Sequence, residues 1–328
     1  MYDLPQKPQV EGAKKMQKKQ LYYNWNWTNL PKDLIPHAIR EFLDNGADHF
    51  VFTTSLLKLA LENPDWIGEL KRLEQEFKIK FGAMHALFGG SMALNHPDKT
   101  LRPAMLEKQI RSLQIASEFE VKTFTVHSDA YHYVHLHYPV ETLRPFFQES
   151  LEILLKHAEK YGVVIAIENN YEKPNSAKEI TAIAKPYAGS PFLGFCYDTG
   201  HANIMDPAPW KNDEMYRKKY DHPDFWSLAE EWWEGIELEA DAVDKMRDGI
   251  VTCHIHDNNG YNDLHGMPFD GTIDWTTLME KLHSCPRMIE FQTEVCFDYG
   301  LNWAGPLLAP KGGYSIRRLT DTFRKLGF

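Results

Sequence analysis

Eight short apolar runs, each followed by a stretch of helical spacing, with a polar side chain closing nearly every later run, predict an α/β chain wound as a (β/α)8 TIM barrel. Residues 21–328 hold all eight units as a single barrel domain, behind a polar lead of residues 1–20. One stretch breaks the rhythm, an insertion at residues 206–248 between strands 6 and 7 that is too long for an ordinary connection. A doubly wound open sheet is the alternative, since alternation alone does not prove closure. The closed form is preferred because it gathers the end-of-strand residues into one ring, where an open sheet would scatter them along an edge.

The elements follow in order. Leu21 to Trp27 is aromatic and alternating, a first strand. Asp33 to Asn45 has helical spacing and stops at Gly46. His49 to Thr54 is the second strand and Pro64 to Phe77 the second helix. The third strand lies within Lys78 to Leu87 and carries His85; Thr100 to Phe119 is a helix; Val121 to His127 is the fourth strand. Pro139 to Tyr161 is a long amphipathic helix, and Val163 to Ile167 a strand that delivers Glu168. Ser176 to Tyr187 is helical, and Phe192 to Tyr197 delivers Asp198. Gly249 to Cys253 delivers His254, Asp274 caps a helix to His283, Met288 to Thr293 delivers Glu294, and Tyr314 to Leu326 is the last helix.

Composition narrows the function. At 43% hydrophobic and 25% charged, the 328 residues are those of an ordinary globular protein. A net charge of −10 argues against a nucleic-acid partner, which draws on a basic surface. Cys196, Cys253, Cys285 and Cys296 show no paired spacing, so neither a disulfide framework nor a cysteine-rich zinc module is expected. The lead lacks the apolar core of a signal peptide, and no run approaches a membrane helix. A soluble, cytoplasmic chain is expected. The insertion holds Trp210, Tyr216, Tyr220, Phe225, Trp226, Trp232 and Trp233 among many charges. It reads either as a lid or subunit contact, which would make a homo-oligomer, or as packing on the barrel side.

The chemistry concentrates where strands end. Glu168 closes a run of five apolar residues, and a bare carboxylate buried there is costly unless paired or metal-bound. Asp198 stands in the same place with His201 three residues on, and His254 and His256 share one face of their strand. Glu290, Gln292 and Glu294 also share a face; Glu294 is preferred to Glu290 as a ligand because it lies nearer the strand end. Glu168, Asp198, His254 and Glu294 together make a site for one divalent metal ion, with Mn²⁺ or Mg²⁺ favoured by the oxygen-rich set and Zn²⁺ or Co²⁺ admissible. His85, His127, His201, His256, Asp263 and His265 exceed the needs of one ion and are assigned to substrate hydroxyls or to a multinuclear site. His132, His135 and His137 read as a solvated loop, and Gly312, Gly313 and Lys311 as a turn with a weak anion-binding signal. Trp25, Trp27, Phe88 and Trp210 are candidate walls for a sugar face.

Three pieces carry a family resemblance: Asp198 to His201, His254 to Asp257, and Asp263 to His265 leading into Gly271 to Trp275. The chain resembles, over all eight strands, the xylose-isomerase-like barrel superfamily of sugar isomerases and epimerases, which also includes zinc AP endonucleases of the endonuclease IV type. In the ketose 3-epimerase-like branch the resemblance implies metal ligation by Glu168, Asp198, His254 and Glu294, with the two glutamates as the acid/base pair. In the endonuclease branch it implies further zinc ligands at His85, His127, His201, Asp263 and His265. Xylose isomerase proper has a lysine two residues after its first metal glutamate. Asn170 stands there, which counts against a hydride shift.

The expected activity is a metal-dependent sugar isomerase or epimerase that moves a proton on a ketose or related polyol-ketone, with no organic cofactor and no membrane or nucleic-acid partner. The alternatives are an AP endonuclease-like repair enzyme and a non-catalytic sugar-binding protein on the same fold.

Overall fold

The structure is a computed structural model that describes residues 19–128, 139–207, 237–260, 262–295 and 315–328. Its strands are β1 (Gln20–Tyr22), β2 (His49–Phe52), β3 (Lys80–His85), β4 (Thr123–Val126), β5 (Val164–Glu168), β6 (Leu193–Asp198), β7 (Ile250–Ile255) and β8 (Glu290–Thr293). All pair in parallel, in the order β1-β8-β7-β6-β5-β4-β3-β2. The ring joins between β1 and β2 at Tyr23, whose N–H donates to the His49 carbonyl at 2.8 Å and whose carbonyl accepts from Val51 N–H at 3.0 Å. That juncture excludes the open doubly wound sheet, whose two edge strands have no such partner.

The described helices are α1 (Ile35–Asp44), α2 (Thr54–Glu62), α3 (Asp65–Phe77), α4 (Arg102–Glu118), α5 (Val140–Tyr161), α6 (Ala177–Ala184), α7 (Thr199–Met205), α8 (Ala242–Met246), α9 (Trp275–His283) and α10 (Ile316–Lys325). None is long and apolar enough to cross a membrane. The predicted boundaries hold to within about two residues in most places. Asp274 caps α9 as expected, accepting from Thr277 N–H at 3.2 Å. The expectation missed α2, where Thr53 accepts from Leu56 N–H and Leu56, Leu57 and Ala60 face inward.

The first strand is shorter than expected. It ends at Tyr22, with Tyr23 still pairing with β2, and Trp25 and Trp27 follow, buried with their rings 4.3 Å apart. Trp27 packs at 5.2 Å on both Phe50 and Phe81, and Trp25 at 5.6 Å on Phe42. Each is only 1% exposed, which corrects the expectation that these two indoles form walls for a substrate.

Cys196, Cys253 and Cys285 are free and buried, as packed thiols. Most of the expected insertion, with Trp210 and its other aromatics, lies outside the described residues, as do His132, His135, His137, Lys311, Gly312, Gly313 and Cys296.

Candidate metal and active site

Parallel strands with apolar cores all point their carboxyl ends at one mouth, so a polar residue that closes such a strand is delivered there. Ile165, Ala166 and Ile167 carry Glu168 up in this way, and the register pairs Asp198 with His254 across β6 and β7. One donor atom each from Glu168, Asp198, His254 and Glu294 lies within 4.8 Å of the others. His254 Nδ1 is 3.2 Å from Glu168 Oε1, 3.8 Å from Asp198 Oδ2 and 2.8 Å from Glu294 Oε2. Glu290, the competing carboxylate, lies one strand length deeper and is hydrogen-bonded across the lumen by the Thr123 hydroxyl.

Two further donor groups adjoin the first. His85 Nε2 and His127 Nε2 are 3.1 Å apart and stand 3.4 and 3.0 Å from Glu168 Oε2, so one glutamate serves two groups with its two oxygens. On the other side His201, His256, Asp263 and His265 converge. Asp263 Oδ2 lies 3.3 Å from His201 Nε2 and 3.1 Å from His265 Nε2. A helical turn produces half of this arrangement: Asp198 caps α7 by accepting from His201 N–H at 2.7 Å, which brings His201 back over it.

The loop bearing Asp263 and His265 is built around Asp257. Its carboxylate accepts from the N–H groups of Asn258 at 2.9 Å and Phe269 at 3.1 Å, and from the Trp275 indole at 2.8 Å. Gly271 is required beside it, since a Cβ there would stand 2.1 Å from Asp257 Oδ1. His265 is held at a φ of +45°, a conformation uncommon for a non-glycine residue. Its Nδ1 lies 2.8 Å from the Glu294 carbonyl.

The carboxylates and imidazoles set one another's charge. Burial pushes the Glu168 carboxyl up, but His254 and His127 outweigh it and hold it well below the usual range. Glu294 is likewise held low, by His254 against burial. Burial opposes protonation of His254, yet the carboxylates of Glu168 and Glu294 raise it well above an ordinary imidazole. His201 rises to about 10, with Asp198 and Asp263 overriding burial. Burial pushes the Cys196 thiol up to about 12, which keeps it protonated at the floor of the site.

Above these groups opens a cavity of about 740 Å³. His85, His127, Glu168, His201, Asp263, His265 and Glu294 all line it. Asp198, His254 and His256 lie behind that wall, and His256, fully buried, contacts Asp198 rather than the cavity. Phe88 lines it at 48% exposure, its ring 4.9 Å from His127 and nearly parallel to it. The sequence reading missed Asn24, Asn26, Thr54, Lys58, Tyr171 and Glu172 on the same wall. A signal existed for the first two: in an alternating run, if Trp25 and Trp27 face the helices, Asn24 and Asn26 face the mouth.

Residues 39–291 match the family model described as the xylose isomerase-like TIM barrel. Two curated relatives match in part: uncharacterized protein y4fM of Sinorhizobium fredii (25% identical over 140 residues, 42% of this chain) and uncharacterized protein MJ1311 of Methanocaldococcus jannaschii (27% over 216 residues, 58% of this chain). The chain spans 35% and 59% of their respective lengths. Among solved structures, an L-ribulose 3-epimerase superposes with a TM-score of 0.66 at 14% identity, covering 94% of this chain and 93% of its own. A D-tagatose 3-epimerase-like protein does so at 0.62 and 20%, covering 84% and 90%. An AP endonuclease of family 2 from Brucella melitensis does so at 0.55 and 13%, covering 85% and 93%. At these identities the likeness is one of fold. The match to the family model spans most of the chain, and the chain belongs to the xylose isomerase-like TIM barrel family.

Proposed function

We propose that the protein is a metal-dependent sugar isomerase or epimerase that transfers a proton on a ketose or related polyol-ketone. The donor set fits a divalent ion. Glu168 Oε2, His254 Nδ1 and Glu294 Oε2 are buried and lack hydrogen-bond partners, although the last two are 2.8 Å apart. Carboxylate and imidazole donors that converge this closely suit a shared cation. Raised imidazoles facing lowered carboxylates mark a concentration of negative charge that supports this reading. Glu168, Asp198, His254 and Glu294 would hold the ion. When bound, it supplies Lewis-acid stabilisation of the negative charge that develops on substrate oxygens as a proton leaves the adjacent carbon.

The observation that carries the reading is the approach of Glu168, at the end of β5, and Glu294, just past β8, to the same His254 Nδ1, with both carboxylates lining the cavity. One carboxylate, ionised, would accept the carbon-bound proton, and the other, having taken a proton from solvent, would return one to the opposite face of the carbon. His201, Asp263 and His265 would hold substrate hydroxyls or a second ion, and Phe88 offers a flat face to the sugar ring. Superposition on ketose 3-epimerases supports the assignment at the level of fold. The test is a panel of ketoses incubated with enzyme and Mn²⁺ in deuterated water and followed by NMR. Conversion with deuterium entering at the inverted or isomerised carbon is expected. Absence of exchange into every ketose would overturn the reading.

A second reading is favoured by the sharing of Glu168 between two donor groups, which suits multi-metal phosphodiester hydrolysis as in AP endonucleases. Against it, Lys58 is the single lysine or arginine among the described residues lining the cavity, and the chain carries a net charge of −10. Cleavage of abasic duplex DNA with Zn²⁺ supplied would establish this reading in place of the first.

A further inference from the structure

His256 has no role in the mechanism above and does not line the cavity, yet it stands among the second donor group and also contacts Asp198 of the first. Its Nε2 stands 2.9 Å from each oxygen of Asp198, so one ring N–H sets the rotation of that carboxylate. Its face lies 4.2 Å from the His265 ring at 8°, the tightest ring stack of the site. Its backbone N–H donates to the Thr199 hydroxyl at 3.0 Å, and that hydroxyl donates to its carbonyl at 2.7 Å, which pins the residue to the first turn of α7. The ring is fully buried and its Nδ1 has no partner. Gly200 makes the placement feasible: a Cβ there would stand 2.0 Å from His256 Cε1.

We propose that His256 is a positioning residue that couples the two donor groups, so that a divalent ion at Glu168, Asp198, His254 and Glu294 and one at His201, Asp263 and His265 bind interdependently. The proposal rests on the reading of the first group as a metal site. The physical basis is that outer-shell hydrogen bonds orient metal-binding carboxylates, and their loss weakens metal binding about 10- to 100-fold. Because the ring has no free space, drawing His265 toward an ion shifts the surface against which His256 rests. The Nε2–H then carries that shift to Asp198. Buried packed contacts of this kind respond as units rather than yielding smoothly.

The experiment titrates metal-stripped full-length chain with Zn²⁺ against a chromophoric chelator and counts bound ions by elemental analysis. His256→Phe keeps the ring and its stack but removes the N–H, and is expected to weaken the first group about 10- to 100-fold. Asp263→Asn disables the second group without touching a first-group ligand. In the otherwise native chain it is expected to weaken the first group by about fivefold or more, the lower range of a coupling energy. In the His256→Phe background the same change is expected to affect the first group clearly less, with only the direct His201–Asp198 contact left to carry it, a difference that a purely structural role for His256 does not require. Gly200→Ala retains every donor but displaces the ring, and is expected to behave as His256→Phe does, so the proposal remains testable if either variant folds poorly. An equal effect of Asp263→Asn in both backgrounds overturns the coupling and leaves the metal site standing. A native chain that binds no ion at the first group overturns the proposed function together with the coupling.

Discussion

His254 Nδ1, on β7, and Glu294 Oε2, just past the end of the adjacent β8, face each other at 2.8 Å. The contact places a base candidate and a ligand on the same atom group, so the chemistry of Glu294 and its metal affinity must be separated by measurement. Glu294→Gln keeps the size and one ligand oxygen but removes the base. A positioned general base contributes about 10² to 10⁴ in rate, so kcat measured at verified full metal occupancy is expected to fall by that range, with loss of substrate deuterium exchange. Near-native turnover would rule out the two-glutamate mechanism and leave Glu290 untouched as a candidate only on grounds its buried position does not support.

Metal removal is expected to lower the melting temperature. A ligand that binds only the folded chain stabilises it by about 2.7 kcal/mol at 100 times its Kd. Differential scanning calorimetry of the stripped chain should show the loss, and a rising Zn²⁺ or Mn²⁺ series should restore it in proportion to the logarithm of concentration. Asp198→Asn should flatten that series, because the carboxylate is fully buried within the donor group.

The aromatic residues divide by burial. Trp27→Ala removes an indole packed between Phe50 and Phe81 and is expected to cost about 3–5 kcal/mol in denaturant unfolding. Phe88→Ala removes an exposed ring from the cavity wall and is expected to leave unfolding nearly unchanged. If a sugar packs there, KM should rise by a few-fold to about tenfold, the equivalent of about 0.5–1.5 kcal/mol of ring contact. A stability loss at Phe88 comparable to that at Trp27 would contradict this division.

Glu290 gives a pH signature. Burial raises its carboxyl to about 8 from 4.5, with the Thr123 hydroxyl pulling the other way. A folded-state value above the unfolded one means the folded chain keeps a proton that the unfolded chain has released. The contribution is therefore fully present below about 4.5 and is lost as pH rises toward about 8. The slope is about 1.4 kcal/mol per pH unit across that window. Glu290→Gln should remove this slope from stability measured in a series of buffers, and an unchanged slope would show that Glu290 does not hold the proton.

Much of the site was legible because it obeys local rules. The carboxylates at Glu168 and Asp198 were conspicuous as charges ending apolar runs, where an unpaired charge is too costly to be incidental. Alternation along β8 likewise marked Glu290, Gln292 and Glu294 as one face, but alternation is silent on depth. What separates Glu294 from Glu290 is their height in the barrel, fixed by how β8 registers against β7, where His254 pairs with Gln292. Asp257 illustrates the other limit: its neighbours in sequence announced a polar loop, while its partners, Phe269 and Trp275, lie 12 and 18 residues away.

The sequence by itself determined the alternation of eight strands with helices and the polar residues that close the strands, because period and chain order are properties of neighbouring residues. Tertiary structure alone decided which way the first strand's aromatics turn. The run could have presented Trp25 and Trp27 or Asn24 and Asn26 to the mouth, and the outer layer of Phe42, Phe50 and Phe81 settled it by burying the indoles. It also decided that Asp263 meets His201 across 62 residues and that His256 stands behind Asp198 instead of in the cavity. Those contacts depend on barrel closure and on strand register, which are set by the packing of all eight strands at once and by no single stretch of the chain.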